Sequence, residues 1–263
     1  MFFLFYILIG LLAGFLAGLL GIGGGTILVP GLLAIFSHAH IPGQLQMHMA
    51  ISTALTSIIF TSLIAVYHQQ RSFSINWLLF RQLVPGMIVG IVMGASLTLL
   101  LSTQTLKLLF SLFLFLVAFK LLFHKSQVIK KEVVVLTNLK KWLIGFFIGI
   151  TSGMLGLSGG AIAVPVFFRL GLSTHHAIAT SSACVLLLAI MGAIVFTLTG
   201  LHANNLPSGS VGFVYWPAVL GISIGSVLVV PLGTRLGKRT SGNILRRFFA
   251  LFLFVLGISL LIY

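Results

Sequence analysis

The chain has 263 residues, of which 59% are hydrophobic and only 6% are charged. No Lys, Arg, Asp or Glu occurs before Arg71. A water-soluble domain cannot solvate such a surface, so the composition excludes that class and predicts an all-α, polytopic membrane protein. We expect a multi-pass protein of the cell (inner) membrane.

The net charge is +14, because 15 Lys and Arg residues stand against one acid, Glu132. In a soluble protein this balance would suggest a nucleic acid partner. Here the basic residues lie in short loops between apolar runs, so we expect no nucleic acid and predict attraction to anionic lipid at the cytoplasmic face. The single cysteine, Cys184, excludes a disulfide within the chain. No cofactor and no metal site is expected.

Residues 1–123 are expected to form a first transmembrane repeat of five apolar segments, named a to e. The segments are Phe2–Leu20 (a), about Thr26–Phe36 (b), Met47–Tyr67 (c), Trp77–Leu101 (d) and Thr105–Phe123 (e). Segment b is shorter than the roughly 20 residues that a straight span needs. We therefore expect a and b to form a Gly-rich broken or re-entrant helix pair.

Residues 124–141 hold the longest polar stretch, and we expect them to form a basic linker in the cytoplasm. Residues 142–263 then follow the same plan as a second transmembrane repeat. Its segments are Trp142–Leu155 (a′), Gly160–Leu170 (b′), Ala177–Thr199 (c′), Phe213–Leu232 (d′) and Phe248–Tyr263 (e′).

Several landmarks recur in the same order in both repeats, which predicts an internal duplication. The stretch Gly-Ile-Gly-Gly-Gly-Thr-Ile-Leu-Val-Pro at Gly21–Pro30 matches Gly-Leu-Ser-Gly-Gly-Ala-Ile-Ala-Val-Pro at Gly156–Pro165. In c and c′, His48-x-Ala50-Ile51-x-Thr53 matches His175-x-Ala177-Ile178-x-Thr180. Glycines spaced by four precede each cluster, at Gly10, Gly14, Gly18, Gly145, Gly149 and Gly153.

The basic residues decide between two arrangements of the repeats. If a and b return the chain to its starting side, the repeats are inverted and the charges split 14 against 1, with Lys107 alone on its side. If b only dips in and out, the repeats are parallel and the split is 8 against 7. Because membrane proteins keep a positive-inside bias, we predict inverted repeats with both termini outside the cytoplasm. Whether b and b′ span or re-enter stays open.

The two glycine clusters are predicted to form one binding site. Inverted repeats with interrupted helices at matching positions are typical of secondary transporters, which bind substrate near the bilayer midplane. Each cluster opens a helix, where unpaired N–H groups and the positive end of the dipole favour an anion. The candidate substrate-binding residues are Gly21, Gly23, Gly24, Gly25, Thr26, Pro30, Thr53, Gly156, Ser158, Gly159, Gly160, Pro165, Thr180 and Ser181.

Several of these features have a plain structural alternative. The glycines spaced by four are interpreted as helix-packing residues, whereas the clustered glycines closed by proline favour a site. Pro30 and Pro165 form either a hinge or a tolerated kink. The hydroxyls of Thr53 and Thr180 either line an anion path or bond their own helix carbonyls. Histidine is the remaining titratable candidate for proton coupling, since no acid lies in a membrane segment, but His48 lies near a segment end where an interfacial role is favoured.

These motifs resemble the sulfite exporter TauE/SafE family of membrane transporters. The paired Gly-x-Gly-Gly-Gly-x-x-x-x-Pro and Gly-x-Ser-Gly-Gly-x-x-x-x-Pro carry the resemblance, with Ala50-x-x-Thr53-Ala54 and Ala177-x-x-Thr180-Ser181 after them. The resemblance covers essentially the whole chain. It implies an α-helical membrane protein, without a catalytic site, that exports or takes up small anions such as sulfite or sulfoacetate. Where members often have Thr-Ser, this chain has Thr53-Ala54.

The sequence thus predicts a secondary transporter of a small anion that works by alternating access. An anion channel with the same pseudo-two-fold site is the alternative. An enzyme is disfavoured, because the membrane segments hold no carboxylate, no His-x-x-x-His and no cysteine pair. The substrate, the direction of transport and the coupling ion stay open, and a homo-oligomer is compatible with the sequence.

Overall fold

The structure is a computed structural model that describes residues 2–21, 23–39, 41–72, 75–123, 137–237, 250–251, 253–258 and 260. In chain order its elements are α1 (Phe2–Leu20), α2 (Gly25–His38), α3 (Gly43–Ser72), α4 (Trp77–Leu100), α5 (Thr103–Phe123), α6 (Asn138–Leu155), α7 (Gly160–Arg169), α8 (Thr174–Gly200), β1 (Ser210–Val211), β2 (Val214–Tyr215) and α9 (Trp216–Gly237). Residues 250–251, 253–258 and 260 are also helical.

Five of these helices are long and apolar enough to cross a membrane, judged by length and composition over the described residues. They are Phe2–Leu19, Gly43–Arg71, Trp77–Leu100, His175–Gly200 and Trp216–Gly237. Gly25–His38, Thr103–Phe119 and Gly160–Arg169 are apolar but shorter. The protein is therefore an all-α polytopic membrane protein, as predicted.

The helices follow the predicted segments closely, with three differences. Helix α3 begins at Gly43 and ends at Ser72, so it is longer than segment c at both ends. Helix α6 begins at Asn138, so the end of the predicted linker is helical, while residues 124–136 lie outside the described residues. Segment d′ was expected from Phe213, but α9 begins at Trp216 because β1 and β2 form an antiparallel hairpin just before it.

Two pairs of helices pack at very close range through glycines. Along α1, the glycines meet successive residues of α9, and a Cβ on any of them would collide with α9 backbone; the contacts are Gly10 with Ile222, Gly14 with Ser226 and Gly18 with Val230. Along α6, the contacts with α4 are Gly145 with Leu83, Gly149 with Met87 and Gly153 with Ile91. The packing interpretation of these glycines is confirmed, and both pairs are parallel.

Helix α3 runs parallel to α9. The backbone N–H of Tyr215, just before α9, donates to Thr53 Oγ1 at 3.0 Å. Further along both helices, Thr61 Oγ1 donates to Ser226 Oγ at 2.8 Å. Helices α1, α3 and α9 thus share one direction.

Helix α8 runs parallel to α4 and antiparallel to α3. The N–H of Asn76, just before α4, donates to Thr180 Oγ1, and further along α8 Gly192 lies against Ile91 of α4. Gly192 also lies against Leu55 in the first half of α3, whereas Val66, near the end of α3, packs with the start of α8. Helices α4, α6 and α8 therefore run opposite to α1, α3 and α9.

The middle of the bundle is the α3–α8 pair, and its buried hydroxyls are mostly used within their own helix. On α3, Thr56 and Ser57 donate to the carbonyls of Ser52 and Thr53, four residues back, at 2.9 and 2.8 Å. On α8, Ser182 does the same with Ile178 at 3.1 Å. Such bonds satisfy hydroxyl groups in an apolar environment without a partner helix.

Candidate substrate site at the paired glycine breaks

The first break separates α1 from α2 at Gly21–Gly24. Gly21, Gly23 and Gly24 have φ values of 66°, 82° and 76°, in the left-handed region that glycine enters at little cost. Gly24 is the N-cap residue of α2, and its carbonyl accepts from the N–H groups of Ile27 and Leu28, both at 3.0 Å. The glycines therefore let one helix stop and a new one start within four residues.

The second break, between α6 and α7, has the same backbone. Gly156, Ser158 and Gly159 have φ values of 64°, 52° and 71°, and they occupy the positions 135 residues after Gly21, Gly23 and Gly24. Gly159 is the N-cap residue of α7. Among the described residues of the two breaks, Ser158 alone has a side chain and lies in this region, and its Oγ donates to the Leu157 carbonyl at 2.6 Å.

The two breaks contact each other inside the protein. A Cβ on Gly25, the first residue of α2, would collide with the carbonyl oxygen of Gly156 and lie 3.0 Å from Leu157 Cα. A Cβ on Gly23 would collide with Ser158 Oγ. The residues concerned are buried. Two stretches 135 residues apart in sequence thus form one continuous structure.

Helices α3 and α8 pack against the breaks in a matched way. Ile178 of α8 packs on Gly21, and its repeat counterpart Ile51 of α3 packs on Gly156. One hydrogen bond exists on one side only. Ser181 Oγ donates to the Gly21 carbonyl at 3.3 Å, whereas the counterpart of Ser181 is Ala54, which has no hydroxyl.

Thr53 and Thr180, the matched threonines, are both fully buried and both act as acceptors. Thr53 Oγ1 accepts from the N–H of Tyr215, and Thr180 Oγ1 accepts from the N–H of Asn76, each at 3.0 Å. Each threonine thus binds the backbone next to the start of a helix of the other half of the chain. Each threonine also follows, two residues later, an isoleucine that packs on a glycine break: Ile51 precedes Thr53, and Ile178 precedes Thr180.

The remaining candidates open or interrupt the two short helices. Thr26 is 1% exposed in the first turn of α2, and Gly160 begins α7. Pro30 and Pro165 stand inside helices that continue past them, Pro30 buried and Pro165 half-buried. Each proline leaves the carbonyl four residues earlier without its helical N–H partner.

Two buried hydroxyls near the second break have no hydrogen-bond partner among the described residues. Ser52 follows Ile51 on α3, and Ser152 lies one turn before Gly156 on α6; both are fully buried. A buried hydroxyl without a partner costs free energy. Unmatched polar groups beside two helix N-termini are suited to meet a polar ligand.

Two cavities are described, and no residue of Gly21–Gly25 or Gly156–Gly160 lines either of them. One of about 340 Å³ lies between α3 and α8 and is lined by Thr56, Ile59, Ile190, Ala193, Ile194, Thr197, Leu198, Val214 and Trp216. A smaller one, of about 130 Å³, is bordered by Pro30 and Ser37 of α2, and Lys107 of α5. The breaks themselves are close-packed, so the structure holds them in a closed arrangement.

Comparison with known proteins gives the family. The family model of the sulfite exporter TauE/SafE matches residues 6–260. The chain belongs to the sulfite exporter TauE/SafE family. A protein of Haemophilus influenzae named as a probable membrane transporter protein is 32% identical over 261 residues, which cover 98% of each chain. No solved structure matches the chain.

Two more distant relatives are also named as probable membrane transporter proteins. One is a probable membrane transporter protein of Methanocaldococcus jannaschii, 25% identical over 97% of this chain and 94% of its own. The other, YdhB of Bacillus subtilis, is 29% identical over 74% of this chain and 78% of its own. The TauE/SafE family and these names indicate a membrane transporter and not an enzyme. No group of side chains that could hold a metal ion is found among the described residues.

Two polar residues near the breaks of this TauE/SafE protein were not among the candidates. Ser152 follows Thr151 in α6, and Thr98 lies two residues after Ser96 in α4, each in an otherwise apolar run. Thr98 Oγ1 donates to the Gly94 carbonyl at 2.9 Å and lies 3.3 Å from the carbonyl of Gly153. The sequence does not distinguish either residue from its neighbouring hydroxyl, and only the α4–α6 contact brings Thr98 to the end of α6.

Proposed function

We propose that this protein is a secondary transporter of small anions that binds its substrate at the two glycine breaks. The observation that carries the proposal is that α2 and α7 both begin at these breaks and that the breaks contact each other. The first turn of a helix has N–H groups without an intrahelical partner and the positive end of the dipole. Two such helix starts around one position favour an anion.

The distribution of charge supports an anion over a cation. The sequence has a single acidic residue, Glu132, which lies in the polar stretch between the two halves. A transported cation in a membrane is usually met by carboxylates or by carbonyl groups arranged around it. The family's name, sulfite exporter, makes sulfite, sulfonates and related organic acids the substrate class that we propose.

Helix directions support inverted repeats and transport by alternating access. In the first half, α1 and α3 run one way and α4 the other; in the second, their counterparts α6 and α8 run opposite to α1 and α3, and α9 opposite to α4. The first helix of each half packs on a helix of the other half: α1 packs on α9, and its counterpart α6 packs on α4. Inverted repeats that meet at interrupted helices are suited to rock around a central site.

The basic residues support one orientation in the membrane. Six of the seven whose side chains the structure describes lie at the end of the bundle where α3 and α9 end and α4, α6 and α8 begin: Arg71, Arg81, Lys140, Lys141, Arg169 and Arg235. Lys107 lies at the other end. By the positive-inside rule the first end faces the cytoplasm, with anionic lipid around it. In the inner membrane, both termini then lie on the side away from the cytoplasm. Helices α2 and α7 return the chain toward the side from which α1 and α6 start.

Opening of the site requires the two breaks to separate. In the closed arrangement the Gly156 carbonyl lies at the start of α2, against Gly25. A carbonyl oxygen carries partial negative charge, so it occupies the place that an anion would take at the positive end of this helix. A movement of one half relative to the other would exchange this carbonyl for substrate.

Flux through purified protein in proteoliposomes tests the site. Gly24→Val and Gly159→Val put a branched side chain at φ values of 76° and 71°, and we expect each to reduce uptake of labelled sulfite at least about tenfold. Gly43→Val is the matched control, because nothing lies within 4 Å of a Cβ at Gly43. Each variant must elute as a single species in detergent.

Three outcomes separate the alternatives. Unchanged flux in both break variants, with wild-type flux present, contradicts the site. Unitary currents without accumulation against a substrate gradient would make the protein an anion channel with the same site. If the wild-type protein moves none of a panel of sulfite, sulfoacetate and small carboxylates, the proposed function itself is wrong.

A further inference from the structure

His48 of α3 is the most buried histidine among the described residues. It is 8% exposed, whereas His38, His175, His176 and His202 are exposed. Its Nε2 lies 3.0 Å from the carbonyl oxygen of Thr98 on α4, and its Nδ1 lies 3.2 Å from the carbonyl oxygen of Gln44, one turn earlier on α3. The sequence favoured an interfacial role for this residue, and the structure buries it.

Both ring nitrogens of His48 thus face a carbonyl oxygen. A carbonyl oxygen only accepts hydrogen bonds, and a neutral imidazole has one N–H donor and one acceptor nitrogen. Only the doubly protonated ring of His48 can donate to both Thr98 and Gln44 at once. The neutral ring keeps one of these bonds and turns a lone pair toward the other carbonyl. Binding or loss of one proton therefore changes the contact between α3 and α4.

The α4 contact leads directly to the second glycine break. Thr98 Oγ1 lies 3.3 Å from the carbonyl of Gly153 and 3.5 Å from that of Met154, at the end of α6. The break begins two residues later, at Gly156. On its other side Gly156 packs on Ile51, one turn after His48 on α3. His48 is thus connected with the second break along both α3 and the α4–α6 contact.

Among the described residues, no acidic side chain surrounds His48. Its ring packs on Phe213, with the ring centres 5.7 Å apart. The described titratable or charged side chains on the elements that contact α3 are Tyr6, His38, Arg81, Lys107, His175, His176, Cys184, Tyr215 and Arg235, and α3 itself carries Tyr67, His68 and Arg71. Lys107 lies at the same end of the bundle as His48.

We infer that His48 is the proton-binding residue that couples proton movement to the state of the second glycine break, through its hydrogen bond to Thr98. The inference rests on the proposed anion transport and adds its coupling ion. The protonated ring holds α3 to the end of α4 and so keeps Thr98 against α6. Release of the proton from Nε2 leaves the remaining N–H on Nδ1, bonded to Gln44, so the bond to Thr98 is lost and the second break can separate from the first. His175, the counterpart in the other half, is exposed, whereas His48 is buried.

Proteoliposomes that contain an internal pH dye test this role. The probe is a labelled alkylsulfonate, which carries no group that titrates near neutral pH, so any proton movement belongs to the protein. We expect a pH gradient to drive accumulation of the sulfonate by the wild-type protein, with a change of internal pH. His48→Gln stays neutral at every working pH, so it can donate hydrogen bonds but cannot gain or lose a proton. It should lose gradient-driven accumulation at least about tenfold, yet equilibrate the sulfonate without a gradient within about twofold of wild type.

The controls separate this inference from the proposed function. His175→Gln should behave as wild type in both assays, and Thr98→Val, which removes the hydroxyl but keeps the carbonyl, should reduce the effect of the gradient and leave equilibration intact. If His48→Gln does not fold, His48→Asn takes its place in the same assays. Gradient-driven accumulation that is unchanged in the folded variant overturns the inference, and so does loss of both activities together. A wild-type protein that equilibrates anions but ignores the gradient overturns the inference alone, whereas one that moves no anion overturns the proposed function.

Discussion

The two glycine breaks have the same backbone and different side chains. Both place three residues in the left-handed region and both end in a glycine N-cap. In the first break the middle position is Gly23, and in the second it is Ser158. The first accepts a hydrogen bond from Ser181 of α8, whereas the counterpart of Ser181 on α3 is Ala54, which has no hydroxyl. The comparison teaches that the duplicated feature is the backbone path and that the side chains around it have diverged.

Polar groups are concentrated around the second break. The unpartnered hydroxyls of Ser52 and Ser152 are near it, and the matching positions in the other half are Ala179 and Ala17. His48 reaches it through Thr98, whereas His175 is exposed. Contacts that distinguish one anion from another are therefore expected at the second break, while the first contributes backbone N–H groups.

Substitution of the middle residue of the first break, Gly23→Ser, gives the largest expected effect. Gly23→Ser places a side chain in the left-handed region, at about 1–2 kcal/mol, and its Cβ collides with Ser158 Oγ. We expect a large fall in the midpoint of thermal unfolding and loss of flux. Ser158→Gly alone loses the hydroxyl bond to Leu157 but also the backbone strain, so its stability should remain near that of the wild type.

The double variant sharpens the comparison. When Gly23→Ser is combined with Ser158→Gly, the colliding Oγ is gone, so part of the lost stability should return. A collision with Val185 remains and limits the recovery. Equal midpoints for the single Gly23→Ser variant and the double variant would mean that the breaks do not meet as described.

A second, intermediate effect is expected at the matched threonines. Thr53→Val and Thr180→Val each leave a backbone N–H, of Tyr215 or Asn76, without its acceptor. The loss of stability should be about 1–3 kcal/mol in each case. It should be equal in the two halves, whereas the variants at the two breaks are expected to differ. Denaturant unfolding in detergent measures both, with Thr→Ser at each position as the control that keeps the hydroxyl. If the stability losses of Thr53→Val and Thr180→Val differ by several kcal/mol, the two matched hydrogen bonds do not contribute equally to the two halves.

Most of the helices could be predicted from the sequence, because apolar runs bounded by glycine or charge leave little choice in a bilayer. The packing role of Gly14 or Gly149 was also predictable, since small residues spaced by four have a known use between membrane helices. The hairpin before Trp216 was missed because its strands have only two residues each. The bonds of Thr53 and Thr180 could not be predicted, because their partners are backbone groups on other helices, which no pattern in the sequence marks.

The smallest expected effect concerns the one hydroxyl that distinguishes the first break. Ser181→Ala removes a long bond, 3.3 Å, to the Gly21 carbonyl, and hydrogen bonds between membrane helices are worth about 0.6 kcal/mol on average. We expect a small fall in the unfolding midpoint, and a similar flux because in the proposed site the substrate binds N–H groups and not this carbonyl. Ala54→Ser is the reciprocal change, which introduces at the matching position of α3 the hydroxyl that Ser181 has on α8. A flux that falls tenfold in Ser181→Ala with little change in stability would instead make this hydroxyl a substrate ligand, and the first break would then contribute more than its backbone.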